Sequence, residues 1–243
     1  MVQLVKSLVE AGRAQCILGN HDLNILLGKE KHDNNWFFGR EFRENGVVIP
    51  QVLADAATRE MVTGFFRTLP LALERPNLRV VHACWQPEMI EIARAATDAK
   101  QLYEHYRQLI EAGFVARQEL DPIEQDLQHQ NLNPVKVLTS GLEARAATPF
   151  EASGELRYLE RVKWWKSYDS PEVCVFGHYS IPFGEPRGCG RAVCVDFGVG
   201  KRWTERPGTT QNFNFKLAAL QIPENELVFD DGTPSVRIFD PSS

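Results

Sequence analysis

Three short apolar runs, each closed by a polar residue able to bind a metal, constrain this chain more than any other feature. They are Ala14-Gln15-Cys16-Ile17-Leu18 before Gly19-Asn20-His21-Asp22, Leu78-Arg79-Val80-Val81 before His82, and Val173-Cys174-Val175-Phe176 before Gly177-His178. Apolar runs of this length, bounded by turn residues, predict buried strands. In open α/β sheets the functional crevice lies beyond the carboxyl ends of the strands, where residues far apart in sequence converge. The three endings therefore predict one crevice. Asn20 offers an amide oxygen, and His82 and His178 offer imidazole nitrogens. Such a mixed set suits Mn, Fe or Zn better than Ca. A single histidine after a strand is more often a hydrogen-bonded structural residue, but three strand ends with one pattern weigh against coincidence. Gly19 and Gly177 allow a tight turn and a close approach to a ligand, or simply end a strand. His32, His105 and His129 stand in polar surroundings and are read as surface residues.

Around these runs the pattern predicts helices over 2–11, over 51–69 between Pro50 and Pro70, and over most of 87–114. A fourth strand is expected over Arg191 to Phe197. The last strands fall at 213–220 and 226–238, with a turn at Asp231-Gly232. Residues 115–155 are polar and interrupted by Pro122, Pro134 and Gly141. The alternation predicts one mixed α/β domain over 1–243. With 43% hydrophobic and 24% charged residues the composition is that of a globular protein. The net charge of −5 argues against a nucleic-acid binder that relies on a basic field. A phosphorylated substrate stays open, because a metal or local dipoles can supply positive charge. Arg157, Arg161, Lys163, Trp164, Trp165 and Lys166 form a basic-aromatic cluster, which reads as an aromatic core face with a basic outer face rather than a base-stacking platform. No apolar run reaches the ~20 residues of a membrane span, so no membrane partner is expected. Five cysteines without a CxxC pair indicate neither a disulfide framework nor a zinc ribbon, and a reduced, cytoplasmic protein is expected.

The motifs resemble those of the calcineurin-like metallophosphoesterases. Gly19-Asn20-His21-Asp22 is similar to their GNH(D/E) motif, Val81-His82-Ala83 to VHA(G), and Phe176-Gly177-His178 to the FGH element. Val193-Cys194-Val195-Asp196-Phe197-Gly198 resembles the strand that follows in bacterial members related to Ser/Thr protein phosphatases and diadenosine tetraphosphatases. The resemblance implies an α/β/β/α sandwich of two mixed sheets with a dinuclear centre of divalent metals. It implies that Asn20, His82 and His178 ligate one metal. His21 would be the catalytic histidine, protonating the leaving oxygen or stabilising the phosphate while a metal-activated water attacks phosphorus. Asp22 would orient the turn or a histidine; the alternative, a helix N-cap, stands beside it.

Two family motifs, DxH and GDxxDR, do not occur in the sequence. They supply the other metal's ligands, the bridging aspartate and a phosphate-binding arginine. Arg40, Arg43 and Arg161 are the candidates to replace that arginine, and each reads as a surface residue. The expectation is an N-terminally truncated version of the fold, lacking the first strand-helix-strand unit and holding one metal ion at most. Its phosphoesterase activity would be crippled; the alternative is a non-catalytic remnant acting as a binding or structural protein. An uncovered sheet would favour self-association.

Overall fold

Caps and prolines decide where the helices start. The computed structural model describes residues 1–31, 34–44, 46–116, 120–152, 155–181, 188–206, 208 and 212–239; His32 lies outside them. Its helices are α1 (Val2–Glu10), α2 (Asn20–Leu26), α3 (Asn35–Phe38), α4 (Ala56–Arg67), α5 (Pro87–Arg94), α6 (Ala99–Ala116), α7 (Pro122–Asn131) and α8 (Pro134–Ser140). The helix expected over 51–69 begins only at Ala56, because the Asp55 carboxylate accepts from the Thr58 N–H and caps it. The stretch 87–114 divides in two. Pro87 opens the first helix, and the Asp98 carboxylate accepts from the Gln101 N–H where the second begins. Asn133 caps α8 in the same way, accepting from the Val135 and Lys136 N–H groups.

The strands are β1 (Phe42–Glu44), β2 (Val47–Ile49), β3 (Ala72–Arg75), β4 (Leu78–Val81), β5 (Glu143–Ala152), β6 (Glu155–Arg161), β7 (Val173–Phe176), β8 (Gly188–Cys189), β9 (Ala192–Cys194), β10 (Asp196–Phe197), β11 (Lys216–Gln221), β12 (Glu226–Phe229) and β13 (Val236–Arg237). The central sheet is mixed, in the order β3-β4-β7-β9-β8. Within it β4, β7 and β9 run parallel, and β3 and β8 are antiparallel edges. A second, antiparallel sheet has the order β10-β11-β12-β13, and β1-β2 and β5-β6 form separate hairpins. The segment expected as one strand over Arg191 to Phe197 serves two sheets. β9 ends at Cys194, the Val195 N–H still donates to Phe176 O at 2.8 Å, and Asp196 then pairs with Leu217. The run Ala14 to Leu18 forms no strand. It is tied to the edge by the Leu18 N–H, which donates to Pro70 O at 2.9 Å, and no strand pairs with it among the described residues.

The main core gathers Leu18, Val62, Val81, Val135, Leu138, Cys174 and Phe176, all nearly or fully buried. Full burial of such aliphatic and aromatic side chains contributes about 1.5–3 kcal/mol each. Trp164 and Trp165, in a 3-10 turn at Trp164–Ser167, belong to this core, so neither ring is free to stack on a base. Cys84, Cys174 and Cys194 are buried, and none of the three forms a disulfide. A smaller cluster, Val193, Phe197 and Leu227, joins the central sheet to the second one. Among the described residues no helix is long and apolar enough to cross a membrane.

The second sheet is pinned by a buried ion pair. Lys216 Nζ donates to Asp231 Oδ2 at 2.5 Å and to Thr233 Oγ1 at 2.7 Å, with the two charged side chains 3% and 1% exposed. Burial alone would raise the Asp231 carboxyl, but the hydrogen bonds from Lys216 and Thr233 outweigh it and hold the group well below the usual carboxylate range. Lys216→Met, which strands the carboxylate, is expected to cost about 3–5 kcal/mol in urea unfolding at pH 7, and removing both partners to cost less. Because the folded carboxyl is depressed, its stabilisation is present above its unfolded value of about 3.9 and fades as pH falls below it. Asp231→Asn should flatten that acid-side decline.

Candidate metal centre

The turn after Leu18 is shaped by its need to bring a helix start against two strand ends. Gly19 is the extended residue before α2, and its N–H donates to Asp22 Oδ2 at 2.9 Å. Asp22 therefore acts as the returning half of a helix cap, which fixes Asn20 and His21 in the first turn. The place a Cβ on Gly19 would occupy is 2.9 Å from His82 Nδ1 and 3.3 Å from Asp22 Oδ2. Only glycine leaves the His82 ring room to lie against this turn, and the Asp22 carboxylate flanks the same spot.

Parallel pairing brings in the other two residues. The Gly177 N–H donates to His82 O at 2.9 Å, extending the β4–β7 ladder past the last strand residues. His178 and Ser180 then turn through the left-handed region, with φ of 69° and 48°. For residues with a Cβ this conformation persists only where the surroundings impose it. Asp196 imposes it: its Oδ2 accepts from the Ser180 N–H at 2.9 Å and the Ser180 hydroxyl at 3.2 Å, and its Oδ1 accepts from the Gly198 N–H at 2.8 Å. On the other side Arg161 Nη1 donates to His178 O at 3.2 Å. Trp165 and Tyr179 pack edge to face at 4.7 Å beneath the turn.

The structure thus brings Asn20, His82 and His178 together. Asn20 Oδ1 accepts from His82 Nε2 at 2.9 Å and lies 3.3 Å from His178 Nδ1, with the two rings 5.4 Å apart. Two donor atoms held about 2.0–2.2 Å from one cation, at angles of about 90–109°, lie about 2.8–3.6 Å from each other. Both measured separations fall in that interval, which is also that of an ordinary hydrogen bond. Among the described residues no group of three or more His, Cys, Asp and Glu side chains is placed to hold a metal ion; this cluster is two histidines and an amide. His21 is exposed on the first turn of α2, and its charge acts on both histidines. His105 is exposed, whereas His129 is half-buried with its ring edge to face on Phe114, a correction to its surface reading.

Burial is the main cause of the low basicity of the pair. It pushes His82 down to about 4, aided by the His21 charge. It pushes His178 down to about 3, aided by Arg161, His82, His21 and Lys136. Both rings are therefore neutral at pH 7, the form that can ligate a metal. The motifs in the sequence pointed to the cluster but not to its supports. Asp196 sat in view inside a strand motif, and only its three hydrogen bonds reveal that it shapes the His178 turn. Arg161, read as a surface residue, is exposed but reaches the His178 backbone. No family model matches this chain, and no curated protein matches it.

Two outcomes follow from this geometry. Gly19→Ala should force the His82 ring aside, lowering stability by about 1–3 kcal/mol as an overpacking change and shifting the His82 resonances in NMR spectra. In the metal-free protein both histidines have folded values depressed below the unfolded value of about 6.5, so their stabilisation is complete above that pH. It declines by about 1.4 kcal/mol per pH unit for each ring as pH falls, ending near pH 4 for His82 and pH 3 for His178. Chemical unfolding at pH 7.5 and 5, with His82→Gln for comparison, checks the slope.

Proposed function

We propose that this protein is a metal-dependent phosphoesterase of the calcineurin-like kind, with the α/β/β/α sandwich of that class and a single cation site of reduced catalytic power. The observation that carries the reading is the meeting of Asn20 Oδ1 with His82 Nε2 and His178 Nδ1 at 2.9 and 3.3 Å. These residues lie at three separate points of the chain, each inside a motif that resembles that class. Asn20, His82 and His178 would hold the cation, of the Mn, Fe or Zn type. When bound, it acidifies water and polarises a phosphoryl oxygen. Asp22 keeps the Asn20-His21 turn in place through the Gly19 N–H. His21, exposed at the rim, gives a proton to the leaving oxygen of a phosphorylated substrate or hydrogen-bonds its phosphoryl group. His82 and His178 are kept neutral by burial; for His82 to ligate through Nε2, the proton that this nitrogen donates to Asn20 Oδ1 would move to Nδ1.

The ligand set limits the chemistry. An amide and two neutral imidazoles leave the charge of a dication uncompensated, so affinity is modest. Both oxygens of the neighbouring Asp196 are already engaged by N–H and O–H donors. Stabilisation of the transition state by a second ion is worth several kcal/mol, and each 1.36 kcal/mol is tenfold in rate. A second reading, a non-catalytic binding protein on the same fold, is favoured by the lack of any Asp-x-His in the sequence.

Titration with Mn²⁺, followed by electron paramagnetic resonance, is expected to give one ion per chain, weakened at least tenfold by His178→Ala or His82→Ala. Hydrolysis of p-nitrophenyl phosphate should be slow, and His21→Ala should remove it while Mn²⁺ binding persists. Unchanged Mn²⁺ binding in both histidine variants would sink the proposal. Binding with no turnover of any phosphoester would favour the second reading.

A further inference from the structure

The run Ala14 to Leu18 presents a row of backbone groups without partners. It contains no turn, and extended Gly19 follows it. The Leu18 N–H donates to Pro70 O, but the N–H groups of Ala14, Gln15, Cys16 and Ile17 find no acceptor among the described residues. Gln15 is exposed, Ala14, Cys16 and Ile17 are half-buried, and Leu18 is in the core. The run thus has one end anchored and the rest of its backbone open.

Along an extended chain, alternate residues turn their N–H and C=O groups to the same side. Leu18 turns its N–H toward Pro70, at the entrance to β3. Gln15 and Ile17, of the other parity, therefore turn theirs to the opposite side. The Ile17 carbonyl accepts from the Cys16 thiol at 3.6 Å, a weak donor that a backbone N–H displaces. Open edges are commonly guarded by charged side chains or proline. The run from Ala14 to Leu18 has no charged residue and no proline, so nothing in it repels a neighbouring strand.

We propose that this edge pairs with the same edge of a second copy of the chain, in an antiparallel ladder whose two-fold axis passes at Cys16. The contact is isologous, the commonest kind in homodimers. The run is complementary to itself in this register. Gln15 of each copy faces Ile17 of the other, and these are the residues whose N–H and C=O groups point outward, so each pair exchanges two hydrogen bonds. Ala14 faces Leu18 and Arg13 faces Gly19, so no like charges stand opposite each other. The two Cys16 residues form the central pair, which is not hydrogen-bonded. Such a pair has its Cα atoms about 4.5 Å apart, within the roughly 4.4–6.8 Å that a disulfide spans. A ladder this short lies at the small end of specific interfaces, so the dimer dissociates on dilution. None of this uses the Asn20–His82–His178 cluster, and the phosphoesterase reading can fail without touching it.

The test is sedimentation velocity over a wide range of protein concentration under reducing conditions, joined to cross-linking at Cys16. The parent chain is expected to pass reversibly from monomer to dimer as concentration rises. Gln15→Pro, which deletes an outward N–H that bonds nothing within the chain, should weaken the dimer at least tenfold. Gln15→Ala, which keeps that N–H, should leave it within threefold of the parent. Oxidation by copper phenanthroline, which takes two electrons and two protons from the facing thiols, should link the dimer covalently, and Cys16→Ser should abolish the link while leaving the reversible dimer. The cross-link needs no change of sequence in the parent, so it carries the test should Gln15→Pro fail to fold. A monomer at every concentration would overturn the proposal. So would a dimer that Gln15→Pro leaves unchanged, a dimer that does not cross-link, or a cross-link that survives Cys16→Ser, since each would place the contact elsewhere.

Discussion

The hydrogen bond from the Gly177 N–H to His82 O continues a parallel ladder one step beyond the strands, and the candidate site depends on it. Parallel strands at the centre of a sheet end side by side on the same face, which is why their last residues can meet. β4 delivers His82 and β7 delivers His178. The next parallel neighbour, β9, leads into Asp196, which holds the turn after His178. Asn20 arrives differently, from the first turn of a helix whose entrance is fixed by Asp22. The sheet thus sets the spacing of the two imidazoles, and the helix cap sets the amide oxygen between them. Below the turn, Trp164, Trp165, Phe176 and Tyr179 pack ring against ring. Shifting the register of β7 by one residue would turn Phe176 out of this core and carry His178 away from Asn20.

Much of this was legible in the sequence, and the misses have physical causes. Apolar runs followed by His82 and His178 marked two true strand ends, and the convergence of Asn20 with them was expected from the shared pattern, because burial and turn chemistry are local signals. Residues 14–18 carry the same local signal as the true strands and still form none, since a strand needs a neighbour to pair with and pairing is not written in the run itself. The segment from Arg191 to Phe197 looked continuous because Ala192 to Val195 are all apolar; the break at Val195 arises from the change of partner, from Phe176 to Leu217. The hairpin of β5 and β6 was hidden by its polar composition. Trp164 and Trp165 were read as core and are core. Asp196 and Arg161 were missed as supporting residues because their significance is a matter of what lies across from them, over sequence distances no pattern spans.

The electrostatics of the region oppose one another in an instructive way. The three donor atoms are neutral and suited to a cation, yet the surrounding charges that act on His178 are those of Arg161, His21 and Lys136. A lone dication entering there meets positive potential and gains no carboxylate to offset it. Asp196 and Asp22 flank the cluster without entering it: the charge of Asp196 acts on His82 in the opposite sense, but its oxygens are taken up by Ser180 and Gly198, and an oxygen of Asp22 is held by the Gly19 N–H. The carboxylates of the region thus shape the two turns that present the donor atoms and leave the donor set itself neutral.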